Sequence, residues 1–204
     1  EPIMLKHRAD NPGEKLWCEQ DAHYSPRAIE IIAELLKQEI AGKDWYAAAE
    51  KVELTRSEPK ELKIEGDQIV GSPWAGKVPK EALTVRYVGT GPAGGGALDP
   101  VEPDVNSPIL LVGDSHTLVF QEGASSGMHC QGAGLLDQFA FDLQVIPDHV
   151  GVRGSGLMQA RRNLFQKAAS NPGYWDKKKL VIWVFSVREF TQSFDRIISI
   201  PIER

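Results

Sequence analysis

The chain has 204 residues, enough for one domain, or for one domain with a small appendage. Apolar residues make up 42% and charged residues 25%, so a core can be buried, and 23 Lys+Arg against 28 Asp+Glu leave a net charge of −5, which argues against the basic stripe of a nucleic-acid binder. Composition also excludes a coiled coil, a collagen-like chain and a disulfide-dense miniprotein, and no apolar run approaches the roughly 20 residues of a membrane span.

Residues 1–20 read as irregular, with a turn at Asn11-Pro12-Gly13 and a short buried strand at Leu16-Trp17-Cys18. Pro26 to Ile40 reads as a helix, because Ile29, Ile32, Ala33, Leu36 and Ile40 recur at helical spacing behind a Ser25-Pro26 cap. A second short helix is expected over Asp44 to Lys51. Residues 57–106 change character: β-like pieces at Leu62 to Ile64 and Thr84 to Val88 alternate with turns, which marks an irregular insertion or connection. Its glycine run, Gly91 to Gly96, lacks the Lys-Ser/Thr of a phosphate-binding loop and the spacing of a dinucleotide fingerprint, and reads as a flexible connection.

From Ser107 the pattern turns α/β. Ile109 to Val112 is a short apolar strand of the kind buried on both faces of a parallel sheet. A helix over Gly134 to Phe141, a strand over Leu143 to Ile146, a helix over Gly156 to Ala169 and a strand over Leu180 to Phe185 follow. The alternation predicts right-handed crossovers in one mostly parallel sheet flanked by helices.

In open α/β sheets, sites form beyond the carboxyl ends of strands. Gly113-Asp114-Ser115-His116 lies there, and a serine thrust from such a turn can serve as a nucleophile with its own N–H facing an oxyanion. The same tetrapeptide also suits a plain turn or helix cap. Asp21-Ala22-His23 offers an acid and an imidazole that project to one side of an extended segment, the arrangement that orients a general base. It is equally compatible with a turn cap beside a surface histidine. Cys18 and Cys130 form no Cys-x-x-Cys unit; they are either one bridge or two free thiols. No metal and no cofactor is expected.

Taken together, four motifs resemble the alginate O-acetyltransferase family. Asp21-Ala22-His23-Tyr24-Ser25-Pro26 resembles its Asp-x-His-Trp-(Ser/Thr)-Pro motif, and Leu110 to His116 its strand and nucleophile. Gly151-Val152-Arg153-Gly154-Ser155-Gly156 resembles its glycine loop, and Val181 to Phe190 its late strand followed by Arg-Glu. Tyr24 replaces the family's Trp, His116 stands where an aromatic such as Phe or Tyr is usual, and Val184 replaces an acidic residue. The Asn of the third block of ordinary SGNH hydrolases is not apparent. The family also has more chain before its first motif, so some amino-terminal sequence is expected to be missing.

The resemblance implies a single SGNH-hydrolase-like domain over 1–204, a three-layer sandwich in which Asp and His precede the serine. It implies Ser115 as nucleophile, His23 as general base and Asp21 as its orienting carboxylate. The oxyanion is expected at the Ser115 N–H and at Gly154, Ser155 and Gly156, with Arg153 and Arg188 positioning substrate or donor. The implied activity is transfer of an acetyl group from an acyl donor to a polysaccharide hydroxyl through an acyl-serine, in the periplasm or cell envelope, beside other envelope biosynthesis proteins. An esterase using the same triad and a non-catalytic carbohydrate-binding or assembly protein are the alternatives.

Overall fold

The computed structural model describes residues 2–92, 97–154 and 156–191. In chain order its elements are α1 (Pro2–Asp10), α2 (Pro26–Ile40), α3 (Asp44–Ala47), β1 (Thr55–Arg56), β2 (Lys60–Ile64), β3 (Glu81–Val85), β4 (Val88–Thr90) and β5 (Asp99–Pro100). They continue with β6 (Ile109–Gly113), a 3-10 turn at Ser115–Thr117, a second at Ala124–Ser126, α4 (Leu135–Leu143), β7 (Asp148–Gly151), α5 (Gly156–Ala169), α6 (Tyr174–Lys177), β8 (Leu180–Val184) and α7 (Arg188–Thr191).

The apolar run that predicts a two-faced strand becomes β6, paired in parallel with β7 on one side and β8 on the other. Ile109 and Leu111 join a core with Ile29 and Ala33 of α2 and Leu136 and Phe139 of α4. Leu110 and Val112 face the other way, onto Ala160 and Leu164 of α5 and Tyr174 of α6. All four β6 side chains are fully buried. Taking each out of water contributes roughly 1.5–3 kcal/mol, so this strand fixes the height at which its carboxyl end emerges.

The helix α2 starts where the sequence places it. The Ser25 side chain accepts the N–H of Ala28 at 3.3 Å and donates to the carbonyl of Lys15 at 2.5 Å, while Pro26 needs no hydrogen-bond acceptor at the first turn. Ser25 therefore joins helix start and preceding segment through one hydroxyl.

Several expectations are corrected. The fold is mixed α/β, but a mostly parallel sheet describes only β7-β6-β8; β2-β3 and β1-β4-β5 are separate antiparallel sheets. No strand forms over 143–146: α4 runs through Leu143 and is ended by Gln144 in a left-handed conformation (φ 52). The strand comes later, over Asp148-His149-Val150-Gly151, and is too polar for a hydrophobic-run search to find. Buried Asp148 is tolerated there because Lys167, Lys178 and Tyr174 all bond its carboxylate. Residues 2–10 form a helix rather than irregular chain; none of its residues is buried, which is why no periodicity announces it. The helix expected over 44–51 stops at Ala47, after the only turn whose rings, Trp45 and Tyr46, pack on the core. Leu16 to Cys18 is not a strand but a single bridge, Trp17 to Tyr24.

Candidate active site

The carboxyl end of β6 is shaped by Gly113. A Cβ there would lie 2.5 Å from Thr117 Cγ2 and 2.6 Å from the carbonyl oxygen of Val184, so only glycine lets the turn close against β8. Asp114 follows, buried, and caps the 3-10 turn. Its Oδ1 accepts the His116 N–H at 2.9 Å and its Oδ2 accepts the Ser186 N–H, beyond β8, at 2.9 Å. Burial pushes this carboxyl up, but the His116 ring and N–H outweigh it and hold it below the usual range. Ser115 is thereby presented, partly exposed, at the first position of the turn. Among the described residues its N–H has no hydrogen-bond partner.

Asp21 and His23 reach Ser115 from a tight hairpin. The Cys18 N–H bonds the His23 carbonyl at 3.2 Å and the Ser25 N–H bonds the Leu16 carbonyl at 3.0 Å. Asp21 and His23 face the same way, not because the segment is extended, but because Asp21 Oδ1 accepts the His23 backbone N–H at 3.0 Å and so folds back over it. The same oxygen receives His23 Nδ1 at 2.5 Å, and His23 Nε2 lies 2.7 Å from Ser115 Oγ. Ninety-two residues separate the imidazole from the hydroxyl.

The region 57–106 holds this hairpin. Glu81 on β3 receives the N–H groups of Glu19 and Gln20 on its carboxylate, at 2.9 Å in each case. Asp67 accepts the Ala22 N–H at 2.9 Å and donates its own N–H to Asp21 Oδ2 at 3.0 Å. Gly66 lies against the Gln20–Asp21 peptide so closely that a Cβ would sit 1.9 Å from the Gln20 oxygen.

One further group completes the carboxylate's shell. His129 Nε2 bonds Asp21 Oδ2 at 2.9 Å. Asp21, 4% exposed, thus accepts two imidazoles and two backbone N–H groups. Burial raises its pKa, but the hydrogen bonds from His129, then His23, then the Asp67 N–H, together with the charge of His23, hold the carboxyl far below the ordinary range. It is anionic at every physiological pH.

The arrangement is a serine hydroxyl, an imidazole and a buried carboxylate in hydrogen-bonded series at the carboxyl edge of a parallel sheet. The chain shares its fold with an O-acetyltransferase domain. That domain, from Pseudomonas putida AlgJ, superposes with a TM-score of 0.63 over 95% of this chain, at 16% identity, and this chain spans 60% of it. Pseudomonas aeruginosa AlgX superposes with a TM-score of 0.55 over 87% of this chain, at 14% identity, and this chain spans 37% of it. No protein-family model matches the sequence, and no curated protein matches it. At such identities the likeness is one of fold.

The remaining residues singled out by sequence lie as follows. Gly154 is exposed, with φ +70 and open space at its missing Cβ. Gly156 is buried, with φ +60, against the Glu189 carboxylate, which also accepts the Leu157 N–H at 3.1 Å. Ser155 lies outside the described residues. Among those described, neither glycine bonds the Asp21-His23-Ser115 series. Arg153 bonds the Ser126 carbonyl and pairs with Glu122 at 3.5 Å, so it braces the 120s loop. Arg188 is exposed at the start of α7, and among the described residues its guanidinium makes no hydrogen bond or ion pair with the series. Cys18 and Cys130 are both free thiols, each pushed by burial to about 12 and so uncharged.

His116 sits beside the series, its ring 4.9 Å from that of His23, with Nδ1 3.0 Å from Asp114 Oδ1. Asp21, His23 and Asp67 bring possible metal-ligand atoms within 4.8 Å of one another. Those atoms are already engaged in hydrogen bonds, and a cation would have to displace the proton between His23 Nδ1 and Asp21. Sequence reasoning missed His129, Asp67 and Glu81, because none stands at a recognisable spacing from Asp21 or Ser115. No helix among the described residues is long and apolar enough to cross a membrane.

Proposed function

We propose that the chain is an acyltransferase that forms an acyl-serine at Ser115 and passes the acyl group, acetyl by family resemblance, to a hydroxyl of a polysaccharide. The observation that carries this reading is the 2.7 Å contact of His23 Nε2 with Ser115 Oγ, backed at 2.5 Å by Asp21. That contact favours catalysis over a binding role, which would need no base within reach of the serine.

The steps follow from the groups present. Because Asp21 is an anion and can only accept, the His23 proton sits on Nδ1, and bare Nε2 faces the serine. Ser115 Oγ attacks the donor's acyl carbon as its proton passes to His23 Nε2, and the imidazolium is stabilised by Asp21. The oxyanion is met by the unpartnered Ser115 N–H. His23 returns the proton to the leaving oxygen, giving the acyl-serine. The acceptor hydroxyl then loses its proton to His23 as it attacks the acyl carbon, and His23 passes that proton to Ser115 Oγ as the acyl–serine bond breaks and the new ester leaves. If water replaces the acceptor, the same groups make an esterase. The likeness to an O-acetyltransferase domain and the four motifs support transfer, and the resemblance to that family is the ground for proposing the bacterial envelope as its setting.

The approach to Ser115 suits a sugar. Trp17 is 59% exposed although Leu16 and Cys18 beside it are buried, and its ring lies 6.4 Å from His116 and 6.3 Å from Tyr24. The Tyr24 hydroxyl donates to the His116 carbonyl, which ties these two residues together beside Trp17. An indole face stacks on the apolar C–H face of a pyranose, and water alone has no use for it.

The test is incubation with an activated acetyl ester, with and without an oligosaccharide. A +acetyl adduct on the Ser115 peptide and an acetylated sugar are expected, with Trp17→Ala lowering sugar acetylation more than ester hydrolysis. An adduct with no acetylated sugar from any acceptor would make the protein an esterase, and absence of the adduct would remove the enzyme reading.

A further inference from the structure

Resting on the acyl-transfer reading above, the geometry points to His129 as a positioning residue of the site: a second imidazole on the triad carboxylate that fixes the rotation of Asp21, and through it the ring of His23.

The two oxygens of Asp21 do different work. Oδ1 receives only His23, through its ring at 2.5 Å and its backbone N–H at 3.0 Å. Oδ2 receives His129 Nε2 at 2.9 Å and the Asp67 N–H at 3.0 Å. An aspartate bonded through one oxygen can turn about its Cβ–Cγ bond and swing its charge out of line with the imidazole. On the other oxygen the His129 ring and the Asp67 N–H together oppose that turn, and of the two only His129 contributes a side chain. Since a carboxylate only accepts, His129 must carry a proton on Nε2, so the bond also fixes this ring's own state. The His129 side chain is 10% exposed and that of Asp21 2%, so water does not compete freely for the contact.

The backbone is bent to make it. Between residues 120 and 132, five residues have a positive φ: Phe120 (φ 61), Gly123 (φ 99), Gly127 (φ 81), His129 (φ 67) and Gly132 (φ 83). Three are glycines, for which that region is open. The two that are not, Phe120 and His129, are the two whose rings meet, with centroids 5.4 Å apart. The flanks of His129 are pinned: Met128 bonds Gly123 and Phe120, and the Cys130 carbonyl accepts the Gly123 N–H at 3.1 Å. A non-glycine residue at positive φ is uncommon, and here that backbone turn carries the ring to a buried carboxylate.

In the transfer cycle His129 gives up no proton. The proton of Ser115 Oγ goes to His23 Nε2 and later to the leaving oxygen, while the His129 proton stays on its own Nε2 and holds Asp21 in line throughout. His129 touches neither acyl group nor acceptor.

Two variants test this. His129→Gly removes the ring and leaves a residue at ease with the left-handed backbone, so folding is not the obstacle. His129→Gln restores a side-chain N–H at comparable reach without an imidazole. With a small acetyl ester, His129→Gly is expected to lower kcat by about 10- to 100-fold, by analogy with the loss when the hydrogen-bond partners of metal-binding histidines and carboxylates are removed, with KM little changed. His129→Gln should recover most of the loss. In parallel, proton spectra of protein carrying nitrogen-15 histidine should show a slowly exchanging His23 Nδ1–H that broadens in His129→Gly and sharpens again in His129→Gln. Wild-type kcat in His129→Gly, or a His129→Gln variant that is folded but no better than His129→Gly, would overturn the inference. If wild-type Ser115 takes no serine-directed phosphonate label, the acyl-transfer reading falls. The His23 proton signal still decides whether His129 orders the ring.

Discussion

Asp67 binds Asp21 and its neighbour at once: the Asp67 N–H donates to Asp21 Oδ2 at 3.0 Å, and the Asp67 carboxylate takes the N–H of Ala22 at 2.9 Å. A turn between β2 and β3 thus grips the loop that carries the acid and the base. Asp67→Ala keeps the backbone donor and loses the acceptor. The expected result is a folded protein, less stable by about 1–2 kcal/mol in urea melts, whose Ser115 is acylated more slowly. An unchanged acylation rate would show that the second bond does not matter for the loop.

Removing members of the series should separate their roles. Ser115→Ala should abolish labelling by a phosphonylating reagent, and His23→Ala should slow it by at least about 10³-fold. Asp21→Asn should slow it by roughly 10³- to 10⁴-fold without changing the pocket, because the amide favours the wrong imidazole tautomer. Mass spectrometry of the labelled peptide checks all three. Label found on Ser125 or Ser126 instead would mean that neither His23 nor the sheet edge singles out Ser115.

His116 is adjacent to Ser115 and within ring contact of His23, so it is the natural rival as base. Its Nδ1 is taken by Asp114, and its N–H and that carboxylate cap the turn. His116→Ala should therefore keep ester hydrolysis within the same order of magnitude as the unaltered protein. Loss comparable to that of His23→Ala would reassign the base.

His149 on β7 provides a pH test of stability. Its Nε2 bonds Thr117 Oγ1 at 2.9 Å, and that hydroxyl in turn donates to the Asp114 carbonyl, so the ring must donate through Nε2. Burial, then the charge of Lys167, pushes its pKa down to about 4. The unfolded chain, with an ordinary value near 6.5, binds the proton first as pH falls. The contribution is complete above about pH 6.5, is lost between there and pH 4, and is flat below. Denaturant melts across that window should show a slope that His149→Gln flattens; a parallel slope in the variant would trace the acid sensitivity to other groups.

How much of this could be read from the chain depends on where each signal lies. The strand Ile109 to Val112 and the helices from Pro26 and Gly156 follow from periodicity and caps, because their burial is apolar. β7 does not, since its buried Asp148 is compensated by Lys167, Lys178 and Tyr174 from elements elsewhere in sequence. In the same way Asp21, His23 and Ser115 are visible as short motifs, and the fold brings them into hydrogen-bond contact. His129 is a lone histidine in a glycine-rich loop; only a backbone turned to φ 67 gives it meaning. The residues 57–106, irregular in pattern, supply Gly66, Asp67 and Glu81 because their task is to present a few acceptors and a close approach, which needs no periodicity.

The hairpin bearing Asp21 and His23 belongs to no sheet. Leu16, Cys18 and Tyr24 anchor its base in the core that β6 shares, and the Glu81 and Asp67 carboxylates hold its tip, whereas Ser115 follows a strand whose side chains are all buried. A segment outside the sheet ladders, held at its tip by a few side-chain to backbone bonds, opens at less free energy than global unfolding. Heating should therefore silence the protein while β6 and its flanking helices are still intact, and cooling should restore it without refolding of the core. The temperature of inactivation and the temperature of melting will be two numbers, and the gap between them measures how firmly two carboxylates hold one loop.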